Sequence, residues 1–131
     1  MRSAPWIESS VEQCDLILPM PLFRSRLQER GFNQAHELAR RLGAAGKTDP
    51  NLLLRVRNTA PQSGLSRAER LHNLRGAFAL EPLRASQVRQ QRIVVVDDVM
   101  TSGASLFAVG SLLKRSGAAH VTGIALARTE L

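Results

Sequence analysis

The chain of 131 residues has one cysteine, no tyrosine, one tryptophan and four phenylalanines. A lone Cys14 can neither close an internal disulfide nor supply a thiolate cage for zinc, so a disulfide scaffold and a cysteine-based metal site are excluded. With no histidine within a few residues of it, Cys14 reads as a structural thiol rather than a nucleophile. Aromatic residues at 4% leave few platforms on which unpaired bases could stack. Long apolar runs are also missing: Ile93-Val94-Val95-Val96 is typical, against the roughly 20 residues needed to cross a bilayer. The first residues, Met1-Arg2-Ser3-Ala4-Pro5-Trp6, lack the apolar stretch of a secretory signal, because Glu8 and Glu12 follow almost at once. The expectation is a cytoplasmic protein with no membrane partner.

What is present is an ordinary globular mixture, 44% apolar and 22% charged, in a length suited to one domain with its own core. Net charge is +7, from 18 Lys and Arg against 11 Asp and Glu. From Arg24 to Arg92 there are fourteen bases and five acids, a local +9, while the remainder has four bases and six acids, or −2. An arginine-rich middle suits a polyanion, either a small phosphate ligand or a nucleic-acid backbone, because guanidinium groups make forked hydrogen bonds to phosphate oxygens. The plainer reading of such a charge run is a solvated face.

Short apolar runs alternate with helical patterns. Asp15-Leu16-Ile17-Leu18 predicts a buried strand stopped by Pro19-Met20-Pro21. Beyond an arginine-bearing loop, Asn33 can cap a helix in which Ala35, Leu38, Ala39 and Leu42 share one face and Gly43 to Gly46 mark the end. A second strand is expected over Leu52 to Val56, followed by a polar loop from Arg57 to Leu65. Ser66-Arg67-Ala68-Glu69 is a capping-box pattern opening a short helix, and Phe78-Ala79-Leu80 is a strand. Ile93 to Val96 predicts a central strand covered on both faces, Thr101 to Gly117 a turn and helix, and Val121 to Ala127 the last strand. The alternation predicts an α/β fold, a mostly parallel sheet with helices on both faces, whose ligands gather at the carboxyl ends of the strands. Residues 1–14 are expected to form an amino-terminal extension and 15–131 the domain.

The most informative stretch is Ile93 to Ser105, IVVVDDVMTSGAS. An apolar strand delivers Asp97 and Asp98 to its carboxyl end, and a turn of small residues opens a helix. The backbone N–H groups of Thr101, Ser102, Gly103, Ala104 and Ser105 can surround a phosphate, helped by three hydroxyls and the helix dipole, and Gly103 permits close approach. A carboxylate pair repels phosphate, so Asp97 and Asp98 suit sugar hydroxyls, directly or through the waters of a magnesium ion. Together these features imply a ribose 5-phosphate. No Walker loop occurs, and Ser102-Gly103-Ala104-Ser105 lacks the order of a nucleophile elbow. His36, His72 and His120 share no spacing, so neither a metal site nor a histidine base is expected.

This stretch resembles the diphosphoribosyl-binding motif of the type I phosphoribosyltransferases, an apolar strand, two acids and a Thr-Thr/Ser-Gly-x-Thr/Ser turn. The segment PMPLFRSRLQERGFNQ from Pro19 to Gln34 and the pattern R-N-T-x-x-Q-S-x-L-S-x-x-x-R-x-x-N-L-x-G-A-F from Arg57 to Phe78 extend the likeness. Together they are similar to the ComF/GntX family over about Asp15 to Thr129. Many members carry an amino-terminal zinc ribbon built from paired cysteines, which this sequence, with Cys14 alone, does not contain.

The resemblance implies a type I phosphoribosyltransferase, Rossmann-like fold that binds phosphoribosyl pyrophosphate with magnesium carried by the substrate. It would place the ribose hydroxyls on Asp97 and Asp98 and the 5-phosphate on Thr101, Ser102, Gly103, Ala104 and Ser105. Arg24, Arg26 and Arg30 would hold pyrophosphate, whose departure calls for cationic donors on its oxygens. The polar loop containing Arg57, Thr59 and Gln62 corresponds to a lid, with Arg57 as the cation facing the transition state. The reaction would transfer the phosphoribosyl group to a nitrogen acceptor that no motif identifies. The alternative is a non-catalytic accessory of DNA uptake whose phosphoribosyl site is vestigial or sensory, with DNA or competence proteins as partners; homo-oligomerisation stays open.

Overall fold

A computed structural model describes residues 5–21, 34–42, 46–56, 66, 68–69, 76–100 and 103–128. The central element is β4, Arg92–Met100, which pairs in parallel with β1, Leu16–Pro19, on one side and with β5, His120–Arg128, on the other. Leu16 sits opposite Ile93 and Pro19 opposite Val96, while Arg92 faces His120 and Met100 faces Arg128. With neighbours on both edges and cover on both faces, Ile93, Val94, Val95 and Val96 are all but sealed from solvent. This is why that stretch can be wholly apolar. On the far side of β1, Ile17 donates to Lys47 O at 2.9 Å and accepts from Asp49 N–H at 3.0 Å, forming an isolated parallel bridge with Thr48.

The two-residue period of the strands divides the core. Leu18, Ile93 and Val95 join Val109 and Leu113 of a helix, Ala104–Arg115, together with Leu52, Leu53, Phe78 and Leu80. Ile17, Val94, Val96 and Ile124 join Ala39 of the helix Gln34–Leu42 and Val11 of the helix Pro5–Gln13 on the opposite face. These helices are α1 (Pro5–Gln13), α2 (Gln34–Leu42) and α3 (Ala104–Arg115). Each sealed aliphatic side chain contributes roughly 1.5–3 kcal/mol, so the sandwich of helix, sheet and helix is held mainly from its middle. Helices on both faces of a mostly parallel sheet are the expected architecture.

α1 falls within the stretch read as an amino-terminal extension; its last turn delivers Val11 to the core, and Cys14, just after the helix, joins it there. The Cys14 thiol donates to Val11 O at 3.1 Å, and burial pushes its pKa up. The spacing of Ala35, Leu38 and Ala39 predicts α2 as found; Asn33, its expected cap, lies outside the described residues. The capping box is present in both directions: Glu69 N–H donates to Ser66 Oγ at 3.1 Å, and Ser66 N–H donates to Glu69 Oε1 at 3.2 Å.

Two expectations change. The strands β2, Leu53–Arg55, and β3, Phe78–Leu80, do not enter the parallel sheet but pair with each other, antiparallel, as a separate two-stranded sheet. Val56 N–H to Ala77 O at 2.7 Å and Glu81 N–H to Leu52 O at 2.8 Å close both ends of this pair, and Arg55 lies 5.4 Å over the Phe78 ring. The second change is in β4, which runs past Val96 to Met100 because β5 continues alongside it as far as Arg128. Partner hydrogen bonds outweigh the low strand preference of aspartate.

Candidate functional site

The site is built where the middle strand nears its carboxyl end. Asp97 sits opposite Ala125 in the β4–β5 register and is partly buried. By the strand period it follows Ile93 and Val95 onto the face that α3 covers. Asp98 is the next residue of β4, so both acids lie inside the paired strand rather than beyond its end. That corrects the expected boundary at Val96 without separating the acids from the sheet edge.

The helix after the strand runs Ala104–Arg115, within the stretch from Thr101 to Gly117 expected to hold a turn and a helix. Its cap is Gly103, at φ 77° and ψ 0°, a left-handed conformation that suits glycine because it has no Cβ. Gly103 O accepts the first helical bond, from Phe107 N–H at 2.9 Å, and the cap makes no side-chain hydrogen bond. Ala104 is buried and Ser105 partly buried. The positive end of the α3 dipole thus opens within the loop that follows the acid-bearing strand. Lys114 and Arg115 occupy its last turn, and Gly117, at φ 104°, follows the C-cap.

β1 leads its chain to the same place. Pro19 faces Val96, and Met20 N–H donates to Val96 O at 2.8 Å, so the segment carrying the loop arginines departs next to Asp97. Arg24, Arg26 and Arg30 themselves lie outside the described residues, as do Arg57, Thr101 and Ser102. The structure therefore brings together Asp97, the backbone of Asp98, Gly103, Ala104 and Ser105, and the exit of β1. Among the described residues no group of three or more His, Cys, Asp or Glu could hold a metal ion, and no helix is long and apolar enough to cross a membrane.

Sequence reasoning missed a group of cations at the opposite end of the sheet, because they are far apart in the chain. Arg89, Arg92, Lys114 and Arg115 are all exposed there. Lys114 and Arg115 belong to the part of the sequence with a net −2, and only the fold sets them beside the basic middle.

A family model described as "Phosphoribosyl transferase domain" matches residues 27–129. Competence protein F of Haemophilus influenzae is 36% identical over 117 residues, covering 87% of this chain and 50% of that protein. DNA utilization protein YhgH of Salmonella typhi is 41% identical over 119 residues, covering 88% of this chain and 50% of the relative. Competence protein ComFC of Bacillus subtilis is 34% identical over 115 residues, or 87% of this chain and 45% of the relative. The chain spans about half the length of these curated relatives, whose names fit the ComF resemblance. A solved structure of the allosteric regulatory enzyme of purine biosynthesis superposes with a TM-score of 0.52 at 15% identity, covering 91% of this chain and 24% of that one. At that identity the likeness speaks for the fold alone.

Proposed function

The chain belongs to the phosphoribosyl transferase domain family, and from that premise we propose that it binds phosphoribosyl pyrophosphate and transfers the phosphoribosyl group to a nitrogen acceptor. The observation that carries this reading is the position of Asp97 on the central strand, shortly before a left-handed Gly103 that opens α3. A carboxylate on a rigid strand accepts hydrogen bonds from ribose hydroxyls, and an open helix start takes the 5-phosphate.

In this reading Asp97 and Asp98 hold the ribose hydroxyls and fix the ring, while Thr101 to Ser105 hold the 5-phosphate. The ring is then gripped on two sides, leaving C1 presented to the acceptor. Arg24, Arg26 and Arg30 donate to the pyrophosphate oxygens as the bond to C1 breaks and negative charge accumulates on the leaving group. Arg57 faces the transition state from the polar loop. Catalysis comes from positioning and charge stabilisation, with no general base among these residues. Carboxylate oxygens such as those of Asp97 would suit magnesium, which would neutralise part of the pyrophosphate charge. Amide-derived ammonia and a nucleobase are both suitable acceptors. The names of the relatives support a setting in DNA uptake.

Calorimetric titration of the 131-residue chain with phosphoribosyl pyrophosphate and magnesium tests the reading. Saturable binding that is lost in Asp97→Asn/Asp98→Asn supports it, and an acceptor screen by pyrophosphate release then tests transfer. Absence of binding by the intact chain overturns it.

A further inference from the structure

The carboxyl end of the sheet carries the phosphoribosyl motif, and the amino-terminal end carries a different chemistry. Gln90 N–H donates to Gly117 O at 2.8 Å and Ala119 N–H donates to Gln91 O at 2.9 Å, which fastens the approach to β4 onto the turn that follows α3. A Cβ on Gly117 would meet Arg89 Cγ at 3.3 Å, so the Arg89 stem lies across that turn. Arg115 and Lys114 end the helix immediately before it, and Arg92 is the register partner of His120. Residues up to 31 positions apart are therefore gathered at the amino-terminal end of the sheet, Arg92 and His120 on the side of Val94 and Ile124 and Arg89, Lys114 and Arg115 around the end of α3, where Arg115 Nε donates to Ser111 O at 3.2 Å. Arg89, Arg92, Lys114, Arg115 and His120 are all exposed. Among the described residues the one carboxylate that pairs with any of them is Asp15, held 3.7 Å from Arg92 Nε. Four fixed cations thus face one acid, and the exposed Gln90 adds a neutral amide donor.

We propose that this amino-terminal edge of the sheet is a docking surface for the phosphate backbone of a nucleic-acid duplex. Three arginines and a lysine carried on the ends of rigid elements present separated donors to a regularly charged polyanion. The cluster is made wholly of exposed side chains, which suits an extended ligand engaging several of them at once. No aromatic side chain belongs to it among the described residues, so it has no stacking platform for single-stranded bases. None of the exposed large apolar side chains, Val56, Leu83 and Phe107, belongs to it either, so it lacks the apolar insertion that holds a protein on a lipid surface. Phe107 lies on the first turn of α3, at the other end of the helix from Lys114 and Arg115. The surface is independent of the phosphoribosyl reading, since its residues lie at the opposite ends of the strands.

The test is fluorescence anisotropy of a short mixed-sequence DNA duplex with the intact chain and with Arg89→Glu/Lys114→Glu/Arg115→Glu, across a range of salt. The intact chain is expected to bind with a log–log salt slope of roughly −3 to −4, since about four phosphates are engaged at −0.9 each. The variant should bind roughly tenfold or more weakly, with a slope shallower by about 2.7, and its affinity for phosphoribosyl pyrophosphate should be unchanged. Arg89→Gln/Lys114→Gln/Arg115→Gln, which removes charge without reversing it, gives the same direction should the first variant fold poorly. Equal duplex affinity in wild type and variant overturns the proposal. So does a single strand bound more tightly than the duplex and unaffected by the substitutions, or polyglutamate bound at this surface with the duplex ignored.

Discussion

Asp15 and Arg92 clasp each other at the foot of the sheet. Asp15 N–H donates to Arg92 O at 2.7 Å, and the Asp15 carboxylate accepts from Arg92 N–H at 2.8 Å. This reciprocal pair sits one residue before Leu16 and Ile93 come into register, so it fixes the alignment that carries Pro19 to Val96 and the exit of β1 to the side of Asp97. A one-residue slip would turn the apolar faces of the strand over. Asp15→Ala removes the carboxylate acceptor and leaves the Arg92 N–H to water. It should lower stability by about 1 kcal/mol, or roughly 3–5 °C in melting temperature. Asp15→Asn, which keeps an acceptor oxygen, should lose less. Equal melting temperatures for wild type and Asp15→Ala would show that the clasp sets nothing.

Gly103 and Gly76 share the same φ of 77°, which makes them a matched pair for separating backbone strain from ligand binding. Either residue changed to alanine puts a Cβ into the left-handed region, at about 1–2 kcal/mol. A Cβ at Gly76 meets nothing within 4 Å, so strain is its whole cost. Gly103→Ala should cost similar stability by thermal melting and, if the proposed site is right, also weaken phosphoribosyl pyrophosphate in calorimetry, because there the Cβ would stand where the phosphate approaches the backbone. Equal ligand affinity in the two variants would remove Gly103 from the proposed site.

The parts of the fold that are legible in the sequence are those decided locally. Ala35, Leu38 and Ala39 announce α2 because one helical face must be apolar, and Ser66 and Glu69 announce their reciprocal cap because both partners lie within one turn. Ile93 to Val96 is legible because only a strand covered on both faces can be wholly apolar. What was missed depends on partners distant in sequence. Nothing within Leu53–Arg55 says that Phe78–Leu80 will lie beside it in the antiparallel sense, and aspartates mask the continuation of β4 to Met100, which only β5 explains. The acid-bearing strand and the glycine turn of the site share one stretch of sequence and were readable together. The basic cluster at the foot was not, since Arg89 comes beside the end of α3 through the turn at Gly117, far from it in sequence.

Cys14 gives the fold a dependence on alkaline pH. Burial raises its pKa above the ordinary thiol value, and Asp15 adds to the rise, while Lys47 and Arg92 pull the other way. The folded state therefore favours the neutral thiol. Its contribution to stability is fully present below the unfolded thiol pKa and is lost as pH rises through the folded one. Denaturant midpoints should fall as pH climbs past the ordinary thiol range, and Cys14→Ala should flatten that part of the profile. Iodoacetamide should label Cys14 slowly in the native protein and quickly once it is unfolded. A native rate equal to the unfolded rate would contradict the burial.

Lys47 ties this thiol to the end of α1. Its Nζ donates to Val11 O and to Glu12 O, each at 3.2 Å, and Val11 O also accepts the Cys14 thiol. An ammonium on the last carbonyls of a helix satisfies acceptors that have no partner within the helix and complements the negative end of the dipole. The same charge holds the Cys14 pKa lower than burial alone would set it. Lys47→Met keeps the aliphatic stem and removes the charge and the donors. Two consequences should then appear together. Stability should drop by about 0.5–1 kcal/mol, and the thiol pKa should rise further, so that alkylation under conditions that partly open the fold becomes slower at a given pH. A purely structural role for Lys47 would move the melting temperature and leave the pH profile of alkylation where it was. The shift of that profile is what marks Lys47 as a charge acting on Cys14, and its absence would confine Lys47 to capping α1.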